Sequence, residues 1–132
     1  MMIGTKKGTT KTMNGKINFS DLYEKQKEFQ KIVLAKRHGC QPEDVKIEED
    51  LEWFKYHCLA MVEEMGEVVK ADKRWKTHRN ERYVIDEKLD EIADVFITIM
   101  NIAMFSGFTA DDIEKAIVSK IDENTKRIAE KN

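Results

Sequence analysis

LDEIADVFITIMNIAMF, residues 89–105, is apolar on nearly every side of a helix, with Ile, Val, Phe and Met filling most of its positions. It holds neither Gly nor Pro and shows no strict alternation, so it predicts a helix that starts between Arg82 and Glu87, runs through Phe105 and is closed by Gly107. The strongly apolar part, Ile92 to Phe105, is too short to span a bilayer, and Asp94 interrupts it. A helix with so little polar surface has to be central, or has to share its excess apolar area with another subunit. A buried Asp94 would then be costly without a partner, which makes it the most informative residue in the chain.

Upstream, a second helix is expected from about Asp50 to about Trp75. Trp53, His57, Ala60, Met61, Glu64, Val68 and Ala71 recur at spacings of three and four and share one broad face. Glu64 and Glu67 interrupt or border that face. Gly66 lowers helix propensity by roughly 1 kcal/mol relative to Ala, which suits a close neighbour at that point. A first helix is expected to begin at Ser20 as N-cap, with Phe19 before it as a staple, and to end at Gly39 ahead of Pro42. Residues 41–49 are a connection with room for a short turn. Downstream, Thr109 and Asp112 have capping-box spacing, and Ile113, Ile117 and Ile121 give the last helix a narrow apolar stripe that can continue to Ile128. The fold expected is all-α, an antiparallel bundle of about four main helices completed by oligomerisation.

The chain has 132 residues and reads as one domain, residues 18–132, preceded by a flexible arm, residues 1–17, rich in Lys, Thr and Gly. Its 23 basic and 25 acidic side chains leave a net charge of -2, so nothing draws it generally to nucleic acid or to an anionic membrane. Cys40 and Cys58 form no CxxC pair or disulfide framework, and no apolar signal core follows the N-terminal lysines; a cytoplasmic location is expected.

The chemistry is carried by acids. Residues three apart on a helix share a face, so Glu64 stands beside Glu67 and Glu91 beside Asp94, and packing of the second helix on the third can bring the pairs together. Clustered carboxylates repel and lose hydration unless a cation compensates. Oxygen donors without thiols or a histidine cluster favour Mg²⁺, with Mn²⁺ as the substitute. Glu63 adds a third acid in the same turn, placed to bind a second ion or hold a water nucleophile. Taken singly, each pair reads more naturally as an ordinary solvated helix edge than as a metal site; the two together, one inside the most apolar helix, shift that balance toward a metal site.

Glu63-Glu64-Met65-Gly66-Glu67 followed by Glu91-Ile92-Ala93-Asp94 resembles the EExxE…ExxD signature of the MazG-like all-α nucleoside triphosphate pyrophosphohydrolases. That superfamily also holds the dimeric dUTPases and the phosphoribosyl-ATP pyrophosphohydrolases. The resemblance covers about Phe54 to Gly107. It implies Mg²⁺ held by Glu64, Glu67, Glu91 and Asp94, with Glu63 assisting at the metal or the water, and hydrolysis of a nucleoside triphosphate to monophosphate and pyrophosphate. Asn101, two turns after Asp94, resembles a polar position after the ExxD motif and is a candidate contact to nucleotide; a buried structural hydrogen bond is the alternative role.

Cationic candidates for the triphosphate are Lys70, Lys73, Arg74, Lys76 and Arg79 after the first motif, and Lys120, Lys126 and Arg127 on the last helix. Trp75 could stack on a base or cover the bundle's end. Only one set of motifs occurs, whereas the full MazG protein has two related domains, and the chain lacks the longer helical content of typical dimeric dUTPases. The resemblance therefore implies a reaction class and a homo-dimer or homo-tetramer, without naming a base. Two other functions fit the same residues: a helical interaction or regulatory module whose acids pair with a partner's Lys and Arg, and a phosphoribosyl-ATP pyrophosphohydrolase.

Overall fold

The computed structural model describes residues 15–75 and 82–131. Four long helices make up the fold: α1 (Phe19–His38), α2 (Leu51–Ala71), α3 (Ile85–Phe105) and α4 (Ala110–Ala129), with short 3-10 turns at Pro42–Asp44 and Lys73–Trp75. No strand occurs among the described residues, so the chain is all-α as expected.

Helix α1 starts one residue before the expected cap, and the capping residue is Asn18 rather than Ser20. Asn18 Oδ1 accepts the Asp21 N–H at 2.8 Å, and Asp21 returns the bond to the Asn18 N–H at 3.1 Å. That reciprocal pair satisfies two orphan donors, which a lone serine does not, and Ser20 is left inside the first turn. Gly39 ends the helix in the left-handed region, φ 66°, where L side chains are strained. One face of α1, formed by Tyr23, Gln26, Gln30 and Leu34, is buried.

Asp50 caps α2 through a bond from the Glu52 N–H, and the helix stops at Ala71, short of Trp75. The stop is set by Asp72, whose backbone turns extended while its carboxylate binds both the backbone N–H and the guanidinium of Arg74, and Lys88 Nζ from α3 at 3.1 Å. Four donor nitrogens on one carboxylate fix a corner more firmly than another helical turn would. Lys88 therefore ties the end of α2 to the start of α3. At their other ends the rings of His57 and Phe105 lie with centroids 4.9 Å apart, so the two helices run antiparallel along their whole length.

The core sits at that second end. Leu34, Val45, Ile47 and Phe105 form it, with Cys40, Trp53 and Met104 packed around them. Residues 45–47 are pinned there by an Ile47 N–H bond to the Phe105 carbonyl at 3.0 Å. Gly107 (φ 97°) turns the chain out of α3, and the Thr109/Asp112 capping box starts α4, both where expected. Tyr23 Oη donates to the Phe108 carbonyl at 2.6 Å, which fastens this turn to α1.

Helix α3 is not enclosed within the chain. Only Asn101 and Phe105 are buried on it, while Leu89 and Phe96 are 61% and 65% exposed. α2 covers one side of it and α1 a smaller one; Ile85, Leu89, Phe96 and Ile99 remain exposed among the described residues. α2 presents Leu59, Val62, Met65 and Val69 outward in the same way, and the stripe of α4 at Ile117, Ile121 and Ile128 is exposed. A Cβ added at Gly66 would meet nothing within 4 Å, so no close approach among the described residues explains that glycine. Among the described residues no single helix is long and apolar enough to cross a membrane.

Candidate metal centre and its neighbouring groove

Antiparallel pairing of α2 with α3 sets the middle of one helix against the middle of the other, which is where the acids are. Glu64 from α2 and Glu91 and Asp94 from α3 each offer a carboxylate oxygen, and these atoms all lie within 4.8 Å of one another. On α2 the face expected from spacing is the one turned inward: His57 is buried, and Trp53, Ala60, Met61, Glu64, Val68 and Ala71 are all half-buried. Glu64 reaches the cluster because it lies on that face.

The cluster's electrostatics show in Glu64. Its carboxyl is held above the ordinary carboxylate range, first by burial and then by the charges of Asp94, Glu63, Glu91 and Glu67. Burial and like charge act in the same direction, and a cation relieves both. Three hard oxygen donors with no thiol or imidazole among them suit Mg²⁺ or Mn²⁺.

Two of the expected acids stand apart from the trio. Glu67 is half-buried and lies 3.9 Å from Lys70 one turn along its own helix. Glu63 is exposed, beside Glu64 in the chain and close enough for its charge to be felt there. Asp94 is exposed, against the expectation that its apolar neighbours would bury it. The reason is the open surface of α3: residues flanking Asp94 in sequence point to other sides of the helix, and among the described residues no further helix covers it.

Asp94 also borders a groove of about 480 Å³ between α1 and α3, walled by Leu22, Phe29, Ile97 and Met100, with Lys25 and Gln26 as its polar members. Sequence spacing gave no sign of this groove, because it is made by α1 crossing α3. The same crossing gives Asn101 a partner. Gln26 Nε2 donates to Asn101 Oδ1 at 2.9 Å between two buried side chains, which is the structural hydrogen bond expected as one of its two roles.

Several of the basic and aromatic candidates are engaged near their own helices. Lys120 Nζ lies 2.9 Å from Glu123, and Arg127 donates to Asn124 at 2.7 Å. Lys73 and Trp75 sit in the 3-10 turn after α2, the Trp75 indole N–H donating to the Val69 carbonyl at 2.7 Å. Arg74 is bound to Asp72 and lies over the ring of Tyr83. Lys76 and Arg79 lie outside the described residues. No family model, curated protein or solved structure matches this chain.

Proposed function

We propose that the chain is a divalent-cation-dependent nucleoside triphosphate pyrophosphohydrolase of the MazG-like kind. The observation that carries this reading is that Asp94 belongs at once to the carboxylate trio and to the wall of the apolar groove. A ligand with a polyanionic end and a flat, largely apolar end matches that juxtaposition, and a nucleoside triphosphate has both.

In this reading Glu64, Glu91 and Asp94 hold the ion. When held by these residues, Mg²⁺ would supply charge neutralisation for the phosphates and would make a water at the site more acidic. Glu63, exposed beside the trio, orients the attacking water toward the α phosphorus and accepts its proton, with pyrophosphate as leaving group. Glu67, one turn from Glu64 and 3.9 Å from Lys70, would be the ligand for a second ion. Leu22, Phe29, Ile97 and Met100 exclude water around the base, and Lys25 stands at the same groove as a cation for phosphate. The exposed apolar rows of α2 and α3 pack against a second copy of the chain, giving a homo-dimer or a larger homo-oligomer.

Those same exposed rows also suit a helical interaction module without catalysis. Pyrophosphate release from a panel of nucleotides, phosphoribosyl-ATP among them, separates the readings when run with Mg²⁺, with a chelator, and with Asp94→Asn. The enzyme reading expects Mg²⁺-dependent turnover that falls at least about a hundredfold in the variant, on the scale of a lost charge-stabilising contact. No turnover with any nucleotide, or turnover unaffected by Asp94→Asn, refutes it.

A further inference from the structure

A second cavity, of about 650 Å³, lies at the opposite end of α3 from the trio. Its walls are the first turns of α1, the 42–49 connection and the turn between α3 and α4. Tyr23, Val45, Met104 and Phe105 contribute apolar surface, and Phe108, 53% exposed, stands at it. The Tyr23 hydroxyl bond to the Phe108 carbonyl holds two of these walls together, so the cleft is built into the fold. Its charge is lopsided: Glu24, Glu43, Glu48, Glu49 and Asp111 border it against Lys27 and Lys46 alone.

We propose that this cleft docks the chain's own basic segment, residues 1–14, MMIGTKKGTTKTMN, which lies outside the described residues. Three observations converge on that occupant. The segment carries Lys6, Lys7 and Lys11 and no acid, opposite in sign to the rim, and Met1, Met2, Ile3 and Met13 supply apolar side chains for Phe108 and its neighbours. It joins the described chain at Gly15, whose φ of 84° is a left-handed conformation suited to a change of direction. Ser20, five residues further on, is itself part of the cleft wall, so the tether is short and even weak contacts act at high effective concentration. Docking there would steady the α3–α4 turn without reaching the acidic trio, so the proposal stands apart from the catalytic reading.

Trypsin cleavage of the full chain after Lys7 and Lys11 tests it, since cleavage follows the population in which the segment is undocked. Glu48→Lys/Glu49→Lys reverses exposed charges remote from the trio, and circular dichroism confirms that the variant folds. In 50 mM salt, cleavage should be about tenfold slower in the native chain than in the variant, as expected for the loss of several exposed ion pairs. The native chain should lose that protection in about 0.5 M salt, and Phe108→Ser should speed cleavage at low salt. Equal rates within about twofold across variant and salt overturn the proposal. Protection that disappears on dilution also overturns it, because the occupant would then be the arm of another molecule.

Discussion

Removing one charge from the carboxylate trio should stabilise the protein without metal and weaken its response to metal. With oxygen atoms within 4.8 Å of one another, each pair of ionised groups repels by about 0.9 kcal/mol at the dielectric of water, the appropriate limit because Asp94 is exposed. Asp94 takes part in two of the three pairs, so Asp94→Asn should raise unfolding free energy by about 1–2 kcal/mol in a chelator at neutral pH. Urea unfolding followed by circular dichroism measures this. With Mg²⁺ at about a hundred times its dissociation constant the native chain gains roughly 2.7 kcal/mol, and the ranking reverses if the variant has lost its site. Glu64 supplies an internal check. Its folded-state pKa is raised, so the chain without metal is favoured below the ordinary carboxylate pKa and loses that advantage as pH rises through the raised value. A variant less stable than the native chain in chelator, or one equally stabilised by Mg²⁺, would refute the claim that these three groups share one strained site.

Two further outcomes follow from the packing. His57, 4% exposed with Nε2 unpartnered, stacks on Trp53 and packs against Tyr56 and Phe105, and burial followed by the nearby His38 lowers its pKa to about 4. Stability present above the unfolded value near 6.5 should therefore be lost as pH falls toward 4, by on the order of 3 kcal/mol, and His57→Phe should flatten that slope in urea melts from pH 7 to 4. The proposed homo-oligomer predicts that the native chain sediments as more than a monomer in analytical ultracentrifugation and that Leu89→Glu together with Phe96→Glu makes it monomeric, because charges on the exposed row of α3 cannot be buried against another copy unpaired; a native chain that is already a monomer refutes that part of the proposal.

Local order and its punctuation were legible from residues alone. The all-α class, the Gly39 stop, the Asp50 start, the Thr109/Asp112 cap and the inward face of α2 all follow from spacing and from the conformations that glycine and short polar side chains accept. The Asn18/Asp21 box was legible too, since both residues have the required spacing, but Ser20 offered a competing cap. Glu64, Glu67, Glu91 and Asp94 were marked as one constellation by the i,i+3 rule and the expected pairing of two helices, and three of the four come together.

Other features depend on which surfaces meet. Periodicity made Asp94 buried, because it measures the composition of a helix and not the number of helices around it; in the single chain α3 is half open. Glu67 shares a helical face with Glu64 by spacing, yet lies with Lys70. Asn101 looked equally suited to a nucleotide or to a hydrogen bond, and only the crossing of α1 over α3 joined it to Gln26, 75 residues away.

The amino-acid order by itself determined where helices begin and end and which side chains project together, because those are short-range consequences of backbone geometry. Tertiary structure decided that Glu64 meets Glu91 and Asp94, that a groove opens beside them, and that much of α3 is left uncovered. Those outcomes depend on how whole helical faces pack against one another, and no local pattern encodes that.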